Sequence, residues 1–478
     1  MPLILYSFVA AGALIIVAAL QRRRRAAMMP PGPPGDPFIG HLLRMPLTDS
    51  ALVFHQWAKA YGPVMHLKTK KGLIYSDRPK FTLYELLGWD PCLVLVSYGS
   101  KSQSIQRQMH QSYLSRQKIA DFKLMQTEES RRLVQHLTDS PPEQYAKLMS
   151  RFVTGIIAHI VAGHRVTSEN DPYLRISQMV YEYVSKTGPP GSSPLDFFPL
   201  QYFPSWFPGA HDLRVVKDGR PAVRELYEYP LSTVKEQQKL GEAMPSFIRE
   251  QLERMEESED EEELKGAAAT MFAAGEQTTW TTLTLFVLAV TLHPESQAKA
   301  QKEIDLVVGD MRLPEFRDRE DLPFVEGILQ ETLRWIPAVP LEVPHCARED
   351  DMYCGMLIPK GAIGLDESVY SDPTSFRPER FLPQPAGAGE PHFSNVAFGF
   401  GRRICTGQYL ADQSLWIAIA SILATCTITN AASIKYIRVL VMFKAYQPDV
   451  QSHPSDFRCA ISPRSPEAKA LIHMFNSS

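Results

Sequence analysis

Cysteine is scarce in this chain, and none of the six cysteines stands in a Cys-x-x-Cys pair. That removes the usual paired-thiolate zinc site. Strong net charge is also missing: the formal value is −3 over 478 residues. Without a basic excess, nucleic acid is not an expected partner. No internal repeat and no long low-complexity linker follows residue 40, which excludes a repeat array. Disorder is excluded by composition, with 44% hydrophobic and 22% charged residues.

One uncharged, almost wholly apolar run stands near the start, "LILYSFVAAGALIIVAAL" at 3–20. A helix needs about 20 apolar residues to cross a bilayer, and "QRRRR" at 21–25 follows directly. A cleaved secretory signal carries its positive charge before the apolar run. Here the charge comes after it, so an uncleaved anchor with a cytosolic body is the reading. "MMPPGPPGDP" then reads as a stiff hinge, because proline blocks helix continuation. The division is an anchor with basic stop at 1–25, a Pro/Gly-rich hinge at 26–40, and one body at 41–478. A cytosolic body keeps Cys92, Cys346, Cys354, Cys405, Cys426 and Cys459 reduced, as core residues or working thiolates.

Within that body, "VMHLKTKKGLIYSD" at 64–77 predicts a hairpin around a Lys-Lys-Gly turn. Helical periodicity dominates 100–310, including an apolar helix at 151–164. The prolines of "LDFFPLQYFPSWFPG" at 195–209 break helix there. This aromatic stretch reads either as a buried loop or as an apolar surface loop near a membrane or substrate entrance. An acidic run at 256–265 suits a helix start. The apolar stretch after it predicts a long buried helix ended by Pro294.

The chemistry concentrates at "FGFGRRICTGQYLAD", 398–412. Cys405 lies just before a predicted helix N-terminus, where the dipole and free N–H groups favour a thiolate. Gly401 and Gly407 permit a tight turn and close approach of a flat partner. Arg403 suits a carboxylate or phosphate. One soft sulfur ligand beside an anion-binding arginine suits a haem, with iron on Cys405 and a propionate on Arg403.

Phe398, Gly401, Arg403, Cys405 and Gly407 together resemble the cysteine loop of the cytochrome P450 superfamily, the haem-thiolate monooxygenases. "ETLR", Glu331 to Arg334, is similar to the family's Glu-x-x-Arg helix motif, and "FRPERF" at 376–381 to its Pro-Glu-Arg-Phe segment. The resemblance implies that Glu331, Arg334 and Arg380 form a buried charge network behind the haem. "AAGEQTTW" at 273–280 resembles the oxygen-activation segment. Thr278 takes the place of the family's catalytic threonine. Gln277 stands where the family has an acid, with Glu276 one place earlier. His345 falls where a propionate contact is common.

The implied fold is mainly α: a helical bundle around a buried haem with small β-sheets, preceded by the N-terminal transmembrane helix. The implied activity is hydroxylation or epoxidation of a lipophilic substrate with O2. Its electrons come from NADPH through a cytochrome P450 reductase, at the endoplasmic reticulum membrane. The look is that of fungal members of secondary metabolism or xenobiotic oxidation. Three departures stand out. The family's helix-C Trp-x-x-x-Arg is replaced by Ser102 and Gln106, leaving Arg107 and His110 as the nearest propionate contacts. The region between Ile363 and Asp366 is short, and 430–452 is unlike the usual C-terminal β-region. Two other readings stay open: a reductase-independent haem-thiolate isomerase, and an anchored protein that has lost haem and catalysis.

Overall fold

The computed structural model describes residues 30–34, 50–62, 65, 78, 81–187, 193–196, 198–255, 261–339, 343, 351–353, 356–358, 375–430, 454 and 457–474. The anchor at 3–20, the hairpin at 64–77 apart from residue 65, His345, the short 363–366 region and 431–452 lie outside them. Among the described residues no helix is long and apolar enough to cross a membrane. The chain divides into two compact units, Met1–Pro79 with Pro344–Ser368, and Lys80–Val343 with Val369–Ser478.

The first unit holds helix α1 (Ser50–Tyr61) and a small antiparallel pair. In that pair β1 (Asp351–Tyr353) runs against β2 (Met356–Ile358), with Met352 opposite Leu357.

The second unit is a helical body. Its helices of six residues or more begin with α2 (Thr82–Leu87), α3 (Lys101–Tyr113), α4 (Lys123–Asp139) and α5 (Tyr145–Ala162). They continue with α6 (Pro172–Thr187), α7 (Asp212–Leu240), α8 (Phe247–Arg254) and α9 (Glu261–Leu292). The remaining ones are α10 (Pro294–Val307), α11 (Pro323–Trp335), α12 (Gln408–Thr425) and α13 (Pro466–Met474). Local chemistry sets their ends. Ser100 and Ser246 accept from the third residue of α3 and α8. Gly163 closes α5 at φ 67, a left-handed geometry that glycine adopts without strain. At α11 the Glu303 carboxylate accepts the Phe324 and Val325 N–H groups at 2.8 and 3.0 Å. Pro294 opens α10 at its first turn, two residues after α9 has stopped at Leu292.

Helix α9 is the axis of this unit. At 32 residues it is about 48 Å long. It packs on α3, α5, α7, α11 and α12. Its apolar residues from Leu283 to Val290 are all but sealed from water. Glu261, Glu262 and Glu263 fill its first turn, as the acidic run predicted. The closest approach to α3 passes over Gly266. A Cβ there would run into the Pro91 carbonyl oxygen and lie 2.7 Å from Gln106 Nε2. Gly266→Ala is therefore expected to lower stability by about 1–3 kcal/mol, read from the urea midpoint. An unchanged midpoint would show that α3 is free to move aside.

A second small sheet pairs β3 (Cys426–Asn430) with β4 (Cys459–Pro463), Ile428 facing Ile461. The other side of β3 is met by side chains of α10. Gln297 both donates to the Ile428 carbonyl (3.1 Å) and accepts its N–H (2.8 Å). Gln301 donates to the Cys426 carbonyl at 2.9 Å.

The aromatic stretch at 195–209 resolves into short 3-10 turns at Pro194–Asp196 and Leu200–Tyr202. Leu195 is buried, whereas Tyr202 is 82% and Trp206 74% exposed. The stretch is therefore at the surface around Tyr202 and Trp206 and buried at Leu195.

Candidate active site

Cys405 sits in the turn that feeds α12. Gly399 (φ 73) and Gly401 (φ 59) both occupy left-handed backbone that a side chain would strain. The Cys405 N–H donates to the Phe398 carbonyl at 2.9 Å and closes the turn. Gly407 has an ordinary φ of −87, so the freedom expected of it is not used. Gly399, passed over in the sequence, carries that need instead.

Cys405 is exposed as a residue, yet its sulfur is surrounded by protein atoms. Burial among those atoms pushes the thiol pKa up, and the N–H of Gly407 pulls against it. Desolvation thus outweighs the helix N-terminus when the sulfur has no cation. A coordinated metal ion reverses that balance and deprotonates a thiol outright.

Both arginines of the turn reach the segment before α3. Arg403 donates to the carbonyls of Val96 (2.8 Å) and Leu93 (3.4 Å). Arg402 donates to the Tyr98 hydroxyl at 2.8 Å. In this arrangement Arg403 secures the turn through backbone carbonyls. At the helix-C positions, Ser102 and Gln106 both donate to the Glu263 carboxylate of α9. Arg107 is half-buried beside them. The neighbouring His110 is fully enclosed, with Nε2 at 2.8 Å from the Ala267 carbonyl and Nδ1 at 3.2 Å from Thr406 Oγ1. Both ring nitrogens are engaged, so His110 offers neither to a propionate here. Burial holds its pKa down at about 4, against the pull of the Ala267 carbonyl and with help from Arg107.

His110 also measures a relation between turn and helix. It bridges Ala267 on α9 to the residue after Cys405, which places the turn within one side chain of α9. Seven residues further, about 10 Å along the axis, the buried helix opens. Ala274 is exposed and Thr278 partly so, while α9 beyond is sealed. Thr278 Oγ1 donates to the Ala274 carbonyl one turn back, at 2.7 Å.

Glu276 does not share this window. At 100° per residue it lies about 160° around the helix from Thr278. Its carboxylate accepts from Ser150 at 3.0 Å and Thr154 at 3.4 Å on α5, from Ser177 on α6, and from Gln277 Nε2 at 2.7 Å. Burial nevertheless raises its pKa to about 7. Glu276 and Thr278, two residues apart in sequence, thus lie on nearly opposite faces of this helix. Gln277 is tied to Glu276, and its Oε1 finds no partner among the described residues.

The charge network is assembled. Glu331 accepts from Arg334 Nε at 2.7 Å and pairs with Arg380 Nε at 3.0 Å. All three side chains are buried. The Arg377 N–H adds a bond to Glu331 at 2.6 Å, and the Ser375 carbonyl accepts from both arginines. A fourth charged member, Glu390, accepts from Arg380 Nη1 at 3.0 Å. The set thus balances two carboxylates against two guanidiniums. Glu390 escaped sequence reasoning because it lies ten residues beyond Arg380, past a Pro/Gly-rich turn. A bond from the Glu390 N–H to the Arg380 carbonyl (2.8 Å) brings it back.

Among the described residues no group of three or more His, Cys, Asp or Glu could hold a bare metal ion. An iron that arrives in its own macrocycle needs only one protein ligand. A cysteine in a closed turn, joined through Thr406 and His110 to a helix that opens further along, fits that requirement.

Residues 66–438 match the family model for cytochrome P450, and the chain belongs to that family, whose members carry a haem-thiolate cofactor. Among its relatives, cytochrome P450 monooxygenase 208 of Postia placenta is 33% identical, over 92% of this chain and 91% of the relative. Cytochrome P450 monooxygenase COX2 of Coprinopsis cinerea is 34% identical, over 92% and 90%. Cytochrome P450 monooxygenase claR of Ampulloclitocybe clavipes is 33% identical, over 93% and 88%.

Proposed function

We propose that this chain is a membrane-anchored monooxygenase that inserts one oxygen atom into a lipophilic small molecule, a terpenoid, steroid, polyketide or polycyclic aromatic. The observation that carries this reading is Cys405 in its closed turn, tied to α9 through Thr406 and His110, backed by the closed Glu331–Arg334–Arg380 network. Haem held by the Cys405 thiolate supplies dioxygen chemistry, driven by electrons from NADPH through a cytochrome P450 reductase.

The chain's own residues supply the rest. Cys405 is held by the Phe398 carbonyl, and the Gly407 N–H steadies its charge. Arg107 and Arg403 are the cations offered to the propionates, Arg403 after exchanging a carbonyl for a carboxylate. Ala273 and Ala274, with small side chains, leave room at the window for a flat group and an apolar substrate. The Thr278 hydroxyl, once released from the Ala274 carbonyl, holds a proton at Oγ1 on that face. Glu276 takes no part in this step, since it faces α5.

The uncharged segment at 3–20 anchors the body at the endoplasmic reticulum, and Tyr202 and Trp206 give the body an apolar contact with the bilayer surface. Secondary metabolism or xenobiotic oxidation is the fitting setting. The monooxygenase names of the relatives favour oxygen insertion over the isomerase and over loss of catalysis.

The test is the carbon-monoxide difference spectrum of the reduced, haem-loaded protein. A thiolate-type Soret band is expected, and Cys405→Ala should abolish it while leaving the far-UV circular dichroism unchanged. A histidine-type band, or none, in the unmodified protein would overturn the reading.

A further inference from the structure

His110 has a chemistry that propionate binding does not use. A backbone carbonyl can only accept, so the 2.8 Å contact with Ala267 makes Nε2 the protonated nitrogen. Nδ1 is then a bare lone pair and can only accept. The Thr406 hydroxyl, 3.2 Å away, must be its donor. Desolvation keeps the ring neutral, so this directionality is fixed. The chain of donation runs from the cysteine turn, through one imidazole, into α9.

The surroundings hold the ring in place. His110 is 1% exposed, and the Phe247 ring meets it edge-on at 6.0 Å between centroids. Thr406 is flanked by Cys405 and by Gly407, whose N–H points at the sulfur. The turn has backbone anchors at Phe398 and Arg403 anchors at Val96 and Leu93. On the side facing α9, His110 supplies its own anchor next to the sulfur.

We propose that His110 is a positioning residue for the Cys405 thiolate. Acting through the Thr406 hydroxyl, it fixes the cysteine turn against α9 and so keeps sulfur on iron. This rests on the haem-thiolate reading above. Partners that orient a metal ligand typically change affinity or activity by about 10–100-fold when removed.

The experiment uses the haem-loaded full chain, reduced and saturated with carbon monoxide. It follows the rate at which the thiolate-type band converts to a non-thiolate band at one fixed temperature. Thr406→Val keeps shape and removes the hydroxyl, and His110→Leu removes the acceptor. Each is expected to speed the conversion by roughly tenfold or more. The double variant should be no faster than the faster single, because both break one bond. His110→Gln carries one acceptor and one donor on a planar amide, and is expected to restore most of the lifetime. Chemical melts of the apoproteins separate this from general loosening: Thr406→Val should melt like the unmodified protein.

A wild-type rate in Thr406→Val would overturn the proposal, and so would single effects that multiply in the double variant. A His110→Gln protein as labile as His110→Leu would also overturn it. Absence of any thiolate-type band in the unmodified protein would overturn the underlying haem reading, and this proposal with it.

Discussion

Glu331→Ala is expected to destabilise the protein by about 3–5 kcal/mol, which is the usual cost of leaving a buried charge without its partner. That is a large share of the roughly 5–15 kcal/mol by which a domain is held folded. The reason is specific. Glu331 is completely buried and receives Arg334, Arg380 and the Arg377 N–H. Its removal leaves Arg380 with Glu390, and leaves Arg334 facing the Ser375 carbonyl. Urea unfolding of the apoprotein measures the loss, and haem retention in the same preparations should fall with it. Glu390→Ala is expected to cost less, since Glu390 is partly open to solvent and touches one guanidinium of the two. If Glu331→Ala unfolds at the wild-type midpoint, the network is not a stabilising unit.

Glu276→Gln is expected to stabilise the protein at pH 8 and to do nothing at pH 4.5. Burial lifts the Glu276 pKa from its ordinary 4.5 to about 7. The folded state therefore binds this proton more tightly than the unfolded state does. Stability contributed by the protonated form is complete below pH 4.5, declines as pH rises through about 7, and is then lost. The difference amounts to about 3 kcal/mol. A glutamine carbonyl still accepts from Ser150 and Thr154, and its amide can give Gln277 Oε1 the donor it lacks. Urea midpoints of both proteins at the two pH values decide the matter. An equal gap at both would mean that Glu276 does not titrate in this range.

What could be read from the residue string, and what could not, follows from how local each feature is. Cys405, Glu331, Arg334 and Arg380 were legible because short fixed spacings carry them. The i, i+3 pair shares a helix face by geometry alone. The long buried helix was legible because nothing charged interrupts it after Glu276 as far as Leu292. Glu276 misled because adjacency along a chain suggests adjacency in space, whereas two steps on a helix turn a side chain nearly to the far side. Gly407 and Gly399 were confused because a glycine's φ is not written in its neighbours. His110 was picked out, with Arg107, only as a nearest propionate contact. Its partners at Ala267 and Thr406 lie 157 and 296 residues away, and only folding brings them together.

The pairing of β3 with β4 imposes an order on biosynthesis. Every element that holds Cys405 precedes the strand at Cys459–Pro463 in the chain and is therefore made first. Until then β3 is zipped along one flank only, by Gln297 and Gln301, and the other flank is a bare template for a neighbouring nascent chain. A premature stop codon between 431 and 458 would release a polypeptide with its cysteine turn intact but that flank permanently open. Such a product is a substrate for cellular quality control and not a shorter enzyme.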